Sequence, residues 1–260
     1  MNIEVNGVRL AYETREGAEP PLVLVHGFGL DRSIWHHLVA KHLTKWQVIL
    51  PDLRGHGGSD APKGPYQIST LAQDLAQLID QMGFEKVVIC GHSMGGYVAL
   101  AFAEGFPQRL AGLGLITTNA GSDSAEKRAG RYDLIEEVRS RGALAVAEGL
   151  APRLSHYPSV IDEAYQLICQ TSPDGLIGAL EGMAERPDRT ALLRKIDVPA
   201  LVVAGEDDQI ADLDNAKAMA AALPKGDFVS LPGVGHMPML EAPDALGSAL
   251  HSLMERVVNS

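Results

Sequence analysis

One serine lies where the surrounding sequence could make it a nucleophile, in the pentapeptide Gly91-His92-Ser93-Met94-Gly95. Residues 86–90 are mostly apolar and β-branched, which predicts a buried parallel strand, and residues 97–103 have the composition of a helix. A serine at such a strand-to-helix turn, with a glycine two residues away on each side, forms a nucleophile elbow. We expect a Cβ at either glycine to strike neighbouring backbone, and the N–H of Met94 to point at a developing oxyanion. The alternative is a plain turn in which the serine caps the helix.

A serine hydroxyl becomes nucleophilic when a base takes its proton, and that base needs an acid to orient it. The candidate base is His236, in a glycine-rich loop after a predicted strand. Glu206, Asp207 and Asp208 follow another strand and are candidate acids, and Asp123 is a further one. Consecutive residues of extended backbone point to opposite sides, so we do not expect Asp207 and Asp208 both to face the histidine. Spacing alone does not choose between them.

An oxyanion also needs a second N–H donor, and residues 26–29 offer one at the end of a predicted buried strand. In this turn, His26-Gly27-Phe28-Gly29, the backbone N–H of Phe28 can face Ser93. Apolar side chains close to these motifs, or on the helices near them, could line a substrate pocket. The candidates are Phe28, Trp35, Met94, Tyr97, Met183, Ile210 and Met237.

Short apolar strands alternate with helical segments in two blocks of the chain. This alternation predicts an α/β fold with a mostly parallel, doubly wound sheet. The chain opens with a predicted hairpin whose turn is Asn6-Gly7. After the sixth predicted strand the strand signals stop, and four helical stretches follow, at 125–139, 143–150, 160–170 and 175–184. We interpret residues 122–194 as a helical cap, or lid, inserted into a core made of residues 1–121 and 195–260.

Composition bounds the possible partners and cofactors. A net charge of −11 over 260 residues argues against nucleic acid and against an anionic membrane surface. No apolar run reaches the length of a bilayer, and the first residues lack a secretory signal, so we expect a cytoplasmic protein, either a monomer or a homodimer. Cys90 and Cys169 lie far apart, which predicts no disulfide. The nine histidines show no metal-ligand spacing, and we expect neither a metal ion nor a cofactor.

Taken together, these motifs resemble those of the α/β-hydrolase superfamily over essentially the whole chain. Residues 26–29 resemble its oxyanion loop, 52–60 the loop after the next core strand, 91–96 its elbow, 205–208 its G-x-x-D segment and 235–243 its histidine loop. The resemblance favours Asp208 as the triad acid. Haloalkane dehalogenases and epoxide hydrolases of this fold have an aspartate where this chain has Ser93, so the resemblance excludes them. Residues 182–188 and 196–199 are similar to 3-oxoadipate enol-lactonases and small carboxylesterases.

The first functional hypothesis is therefore a serine hydrolase that cleaves small carboxylic esters. Ser93 would attack the carbonyl, His236 would act as the base, Asp208 would orient the imidazole, and the N–H groups of Phe28 and Met94 would bind the oxyanion.

Two alternatives remain open. A lactonase with the same triad and an acidic, enol-lactone-like substrate would need a cation near the acyl pocket. Arg131 or Arg186 could supply it, although arginines are usually solvated surface residues. The alternative of another class is a ligand-binding or signalling protein that keeps the triad but turns over slowly. Perhydrolysis would be a side activity of the same site.

Overall fold

The computed structural model describes residues 1–260, and its strands form one eight-stranded sheet. The strands are β1 (Asn2–Val5), β2 (Val8–Arg15), β3 (Ala18–Val25), β4 (Trp46–Pro51), β5 (Val87–His92), β6 (Leu110–Ile116), β7 (Ala200–Gly205) and β8 (Gly226–Leu231). Their order across the sheet is β1-β2-β4-β3-β5-β6-β7-β8. The β1–β2 and β2–β4 pairs are antiparallel and the remaining pairs are parallel. The mostly parallel sheet predicted from the alternation is thus confirmed.

The hairpin at the start of the chain is also confirmed. Asn6 and Gly7 have φ angles of 45° and 73°, the left-handed values that a type I′ turn requires at both central residues. The apolar residues 22–25 predict the buried strand before His26, but strand β3 begins four residues earlier, at Ala18. Ala18 extends the strand by donating its N–H to the carbonyl oxygen of Lys45 at 2.8 Å, a contact that hydrophobicity does not reveal.

The sheet is accompanied by ten helices. They are α1 (His36–His42), α2 (Ile68–Gln81), α3 (Met94–Gly105), α4 (Ala125–Arg141), α5 (Leu144–Leu154), α6 (Pro158–Gln170), α7 (Pro173–Ala184), α8 (Leu213–Ala222), α9 (Pro238–Glu241) and α10 (Pro243–Val258). In α2 the apolar residues recur at helical spacing, and Leu71, Leu75, Leu78 and Ile79 are fully buried. Helix α2 packs against α3, and α1 packs against α10. No helix has the length and apolar character needed to cross a membrane.

Helices α4 to α7 follow β6 and precede β7, as the interrupted strand pattern predicts. Helix α7 packs against α4, and on another part of its surface Gly175, Gly178 and Gly182 share one side that contacts the segment between β4 and α2; we call this side the glycine face of α7. A Cβ at Gly175 would lie 1.9 Å from the carbonyl oxygen of Gly55, and one at Gly182 would lie 1.8 Å from that of Tyr66. The helix backbone therefore lies directly against the backbone of the segment that precedes α2.

Candidate active site

Ser93 is the single residue between the end of β5 and the start of α3. Its φ of 52° and ψ of −115° are strained values for a residue with a side chain, and its N–H donates to the carbonyl oxygen of Ile116 at 3.0 Å. A Cβ at Gly91 would lie 2.0 Å from the carbonyl oxygen of Gly95, and one at Gly95 would lie 2.4 Å from that of Val25. The expected close approach at both glycines is confirmed, and it leaves the strained turn no room for larger residues.

The two candidate oxyanion donors lie in adjacent turns. Met94 is the first residue of α3, where backbone N–H groups have no partner within the helix. The close approach of Gly95 to β3 also includes His26, whose carbonyl oxygen would lie 2.7 Å from a Cβ at Gly95. Phe28 follows in that same turn, and its side chain lines a cavity together with Ser93. The elbow and the turn after β3 therefore face the same space.

His236 forms a hydrogen bond with one of the four candidate acids, Asp208. Its Nδ1 lies 2.8 Å from Oδ2 of Asp208, and both side chains are buried. The other carboxylate oxygen of Asp208 accepts the N–H groups of Ile210 at 2.7 Å and Ala211 at 3.1 Å. Because an ionised carboxylate only accepts, Nδ1 carries the proton, and Nε2 is free to act as a base.

The other candidate acids lie elsewhere. The side chain of Asp207 is exposed, and Glu206 accepts a hydrogen bond from the hydroxyl of Ser230. Asp123 forms ion pairs with Arg131 and Arg186. The sequence did not decide which carboxylate orients the histidine. In the folded chain none of these three contacts the imidazole.

The backbone of His236 is held on both sides. Its N–H donates to the carbonyl oxygen of Leu154, at the end of α5, over 2.9 Å. Its own carbonyl oxygen accepts Nε2–H of His92 at 2.9 Å and the hydroxyl of Thr117 at 3.0 Å. The loop that contains His236 is thus attached to α5, to the elbow and to the end of β6.

Glu241 stabilises the same loop. Its carboxylate accepts the N–H groups of Gly235 at 2.8 Å and Met237 at 2.9 Å, the residues before and after His236. The resemblance of residues 235–243 to a histidine loop included Glu241 but did not indicate what this residue does. The geometry assigns one: the carboxylate holds the two peptide groups that flank the imidazole.

Three further histidines are completely buried around the site. Burial is the largest cause that lowers the pKa of His26 to about 4 and of His56 to about 3, and it also lowers the pKa of His92 well below its usual value. Nδ1–H of His26 donates to the carbonyl oxygen of Gly27 at 2.8 Å, while Nε2 accepts the N–H of Leu53 at 2.9 Å. Neutral His26 therefore fixes the turn that carries Phe28.

The cavity over Ser93 and His236 has a volume of about 90 Å³. The predicted pocket residues that line it are Phe28, Tyr97, Met183 and Ile210. It is also lined by Arg131, one of the two arginines named as a possible cation near the pocket, and by Leu30, Leu150 and Leu154, which the sequence did not single out. Leu150 and Leu154 belong to α5, and no sequence signal orients that helix relative to the core.

Three of the seven candidates do not line the cavity: Trp35, Met94 and Met237. Trp35 is fully buried behind the site, where its ring packs edge-on against His92 with 6.4 Å between ring centres. Met94 and Met237 are fully buried too, and the N–H of Met237 is one of the two that Glu241 accepts. The two methionines adjoin motif residues in the sequence, but their side chains, like that of Trp35, belong to the core.

Arg131 and Arg186 were each expected to be solvated or salt-bridged residues at the surface, and for Arg186 the surface position is wrong. Its side chain is 3% exposed, and its guanidinium lies 4.1 Å from the centre of the Tyr97 ring. Arg131 is 21% exposed and lines the cavity.

The sequence matches the Alpha/beta hydrolase family over residues 22–249. The chain belongs to this family. The hydrolase is 29% identical over 256 residues to 3-oxoadipate enol-lactonase 2 of Acinetobacter baylyi, and the alignment covers 96% of the hydrolase and 94% of that protein.

Two solved structures are similar along their whole lengths. A thermophilic esterase from Thermogutta terrifontis, with malate bound, is 39% identical with a TM-score of 0.93, covering 98% of the hydrolase and 97% of the esterase. The enol-lactonase from Burkholderia xenovorans is 30% identical with a TM-score of 0.90, and the match covers 98% of the hydrolase and 100% of the enol-lactonase. The protein is thus an enzyme, and its relatives support hydrolysis of esters or lactones.

Proposed function

We propose that the hydrolase cleaves small carboxylic esters through an acyl-enzyme on Ser93. The observation that carries this proposal is the 2.8 Å contact between His236 and Asp208, beside the cavity that Ser93 also lines. The contact fixes the imidazole in the tautomer whose Nε2 can accept a proton, which is the state that a serine nucleophile requires.

The reaction proceeds in two halves. Oγ of Ser93 attacks the ester carbonyl as its proton passes to Nε2 of His236, and the N–H groups of Phe28 and Met94 stabilise the resulting oxyanion. The tetrahedral intermediate collapses by breaking the bond to the alcohol oxygen, which takes the proton from Nε2. Water then gives a proton to His236 and attacks the acyl carbon, and the proton returns to Ser93 as the acid leaves.

The size of the cavity favours short acyl groups. A cavity volume of about 90 Å³ leaves little room for a long acyl chain. We propose that residues 122–194 act as a cap, because α5 contributes Leu150 and Leu154 to the cavity wall. A cytoplasmic location, and a monomer or homodimer, stay predictions.

Lactone hydrolysis is the second candidate. It is favoured by the similarity to two enol-lactonases along nearly the whole chain. The same residues would act, and the leaving alcohol would stay attached to the product because the broken ester bond lies within a ring.

The test is steady-state hydrolysis of p-nitrophenyl esters from acetate to decanoate, with an enol-lactone in parallel. Ser93→Ala is the blank, and Ser248→Ala, on the exposed side of α10, is the matched control. We expect turnover to peak at short acyl chains and to fall at least about 1000-fold in Ser93→Ala alone. Fast lactone opening with weak ester turnover would support the second candidate. Labelling of Ser93 by a fluorophosphonate without turnover of either substrate would favour a slow binding protein.

A further inference from the structure

Three charged side chains, Asp123, Arg131 and Arg186, form a cluster, and one of them, Arg131, lines the candidate active-site cavity. Nε and Nη2 of Arg131 both donate to the carboxylate of Asp123, and Nη2 of Arg186 lies 2.8 Å from Oδ1 of the same group. Asp123 and Arg186 are almost completely buried. One carboxylate is therefore shared by two guanidinium groups.

Arg186 has its other donors occupied by protein. Its Nη1 donates to the carbonyl oxygen of Met183 at 2.8 Å and its Nε to that of Gly121 at 3.2 Å. Its guanidinium stacks on the ring of Tyr97, which restricts it further. Arg186 is therefore fixed by its neighbours, and it holds Asp123 in place.

Arg131 is different because it reaches the cavity with a donor that has no oxygen partner. It lines the same space as Ser93 and His236. Nη1 contacts the thioether sulfur of Met183 at 3.5 Å, and a thioether is a weak acceptor. A guanidinium presents donors in a planar fork that matches a carboxylate, so an incoming carboxylate would find a strong donor there.

The charge balance favours an anion at this position. Burial alone would raise the pKa of Asp123, but the hydrogen bonds and charges of Arg131 and Arg186 outweigh it and hold that pKa below its usual value. Asp123 is then ionised, and two positive charges face one negative charge. No acidic side chain lines the cavity, and most of its lining is apolar. An uncompensated charge is costly beside apolar surface unless a ligand neutralises it.

From this juxtaposition we propose that Arg131 binds a carboxylate carried by the substrate. The preferred substrates are then half-esters or lactones of short dicarboxylic acids, or esters of short hydroxy acids, rather than neutral esters. The inference rests on the proposed ester or lactone hydrolysis at Ser93.

The test compares esters that have the same shape but different charge. Monomethyl glutarate carries a carboxylate at the end of its acyl chain, and methyl 4-nitrobutanoate carries a neutral nitro group at the same position. The pair 4-acetoxybutanoate and 3-nitropropyl acetate makes the same comparison on the alcohol side. We expect the wild-type enzyme to prefer the carboxylate member of at least one pair by about tenfold or more in kcat/KM. Release of methanol or of acetate measures the rates.

Variants separate the role of Arg131 from that of the overall charge. Arg131→Gln removes the cavity cation, and we expect it to abolish the preference while the nitro ester is still hydrolysed. Arg131→Lys should retain part of it. Arg128→Gln is the matched control, because Arg128 lies one turn earlier on α4, is half-exposed and pairs with Glu185 at the surface.

The outcomes distinguish the two levels of the proposal. If the wild-type enzyme hydrolyses neither member of either pair, nor any p-nitrophenyl ester or lactone, the function proposed for Ser93 is wrong. If it hydrolyses the nitro esters as fast as the carboxylates, or if Arg131→Gln keeps the full preference, the carboxylate site is wrong and the esterase function stands. The wild-type comparison decides the matter even if a variant fails to fold.

Discussion

The backbone N–H of His236 donates to the carbonyl oxygen of Leu154, 2.9 Å away. The two residues lie far apart in the chain, one in the loop after β8 and the other at the end of α5. Carbonyl groups in the last turn of a helix have no partner within that helix, so this one is free to accept. Leu154 also lines the cavity. A displacement of α5 would therefore change the cavity wall and the position of the imidazole together.

Asp208→Asn is expected to lower kcat by several powers of ten. The amide would donate to Nδ1 of His236, so the imidazole proton would move to Nε2, which could then no longer accept the proton of Ser93. The measurement is steady-state kinetics with a p-nitrophenyl ester. Asp207→Asn is the control, because Asp207 is the exposed neighbour, and it should stay near wild type. The reverse ranking would move the acid to Asp207.

Glu241→Gln is expected to lower kcat about tenfold while KM changes little. The carboxylate accepts two N–H groups, and an amide would turn its NH₂ toward one of them. Glu241 does not line the cavity, so we expect substrate binding to be retained. Glu206→Gln is the matched control, since Glu206 is an exposed carboxylate bonded to Ser230. A rise in KM with kcat unchanged would contradict the role given to Glu241.

The free energy of unfolding should fall as the pH is lowered from about 6.5 to about 4. The pKa of His26 is lowered by burial from 6.5 to about 4, and that of His56 to about 3, so the unfolded chain binds more protons than the folded chain in this interval. Each such histidine adds a slope of up to about 1.4 kcal/mol per pH unit.

Urea denaturation at a series of pH values measures this slope, with His56→Gln as the comparison. The variant removes one buried imidazole, so its slope below pH 6.5 should be shallower than that of the wild type, whatever its stability at neutral pH. An unchanged slope would mean that His56 is already accessible to protons in the folded chain.

The sequence was most informative where local sterics determine the backbone. Gly91 and Gly95 revealed the elbow because a larger residue would strike neighbouring backbone. Asn6-Gly7 revealed the hairpin for a different reason, since these residue types tolerate the left-handed φ values that the turn requires. The mostly parallel sheet followed from the alternation of strands and helices. These features depend on neighbours in the chain, which a single sequence displays directly.

Features that depend on how distant segments approach each other could not be predicted. The alternation of extended backbone left the choice between Asp207 and Asp208 open, and only the family resemblance favoured Asp208. Met94 and Met237 were assigned to the pocket because they adjoin motif residues, and Trp35 because it lies on a nearby helix, yet all three are fully buried.

The orientation of the helices between β6 and β7 could not be predicted either. Leu154 reaches the cavity only because packing orients α5, and helical periodicity says nothing about that orientation. Arg131 and Arg186 were both named as possible cations near the pocket, and nothing in the sequence showed that Arg131 is the one that lines it.

Gly182→Ala is expected to destabilise the chain by about 2–3 kcal/mol. A Cβ there would lie 1.8 Å from the carbonyl oxygen of Tyr66, so α7 must move away from the segment that precedes α2. Gly149→Ala is the matched control, because no atom lies within 4 Å of a Cβ at that position of α5, and alanine there should stabilise the helix slightly. Thermal or urea unfolding measures both changes. Equal stability of the two variants would mean that the glycine face of α7 is not in close contact.

The contrast between α4 and α7 bears on how this enzyme could diverge. Helix α7 tolerates no side chain on its glycine face, whereas α4 buries only Ile135 and Val138 and carries Arg131 at the cavity. A gene duplicate could therefore exchange the residues of α4 one at a time, and alter which acids it accepts, while the sheet, the elbow and the histidine loop keep their structure. New substrate specificities would then arise through substitutions in this one helix.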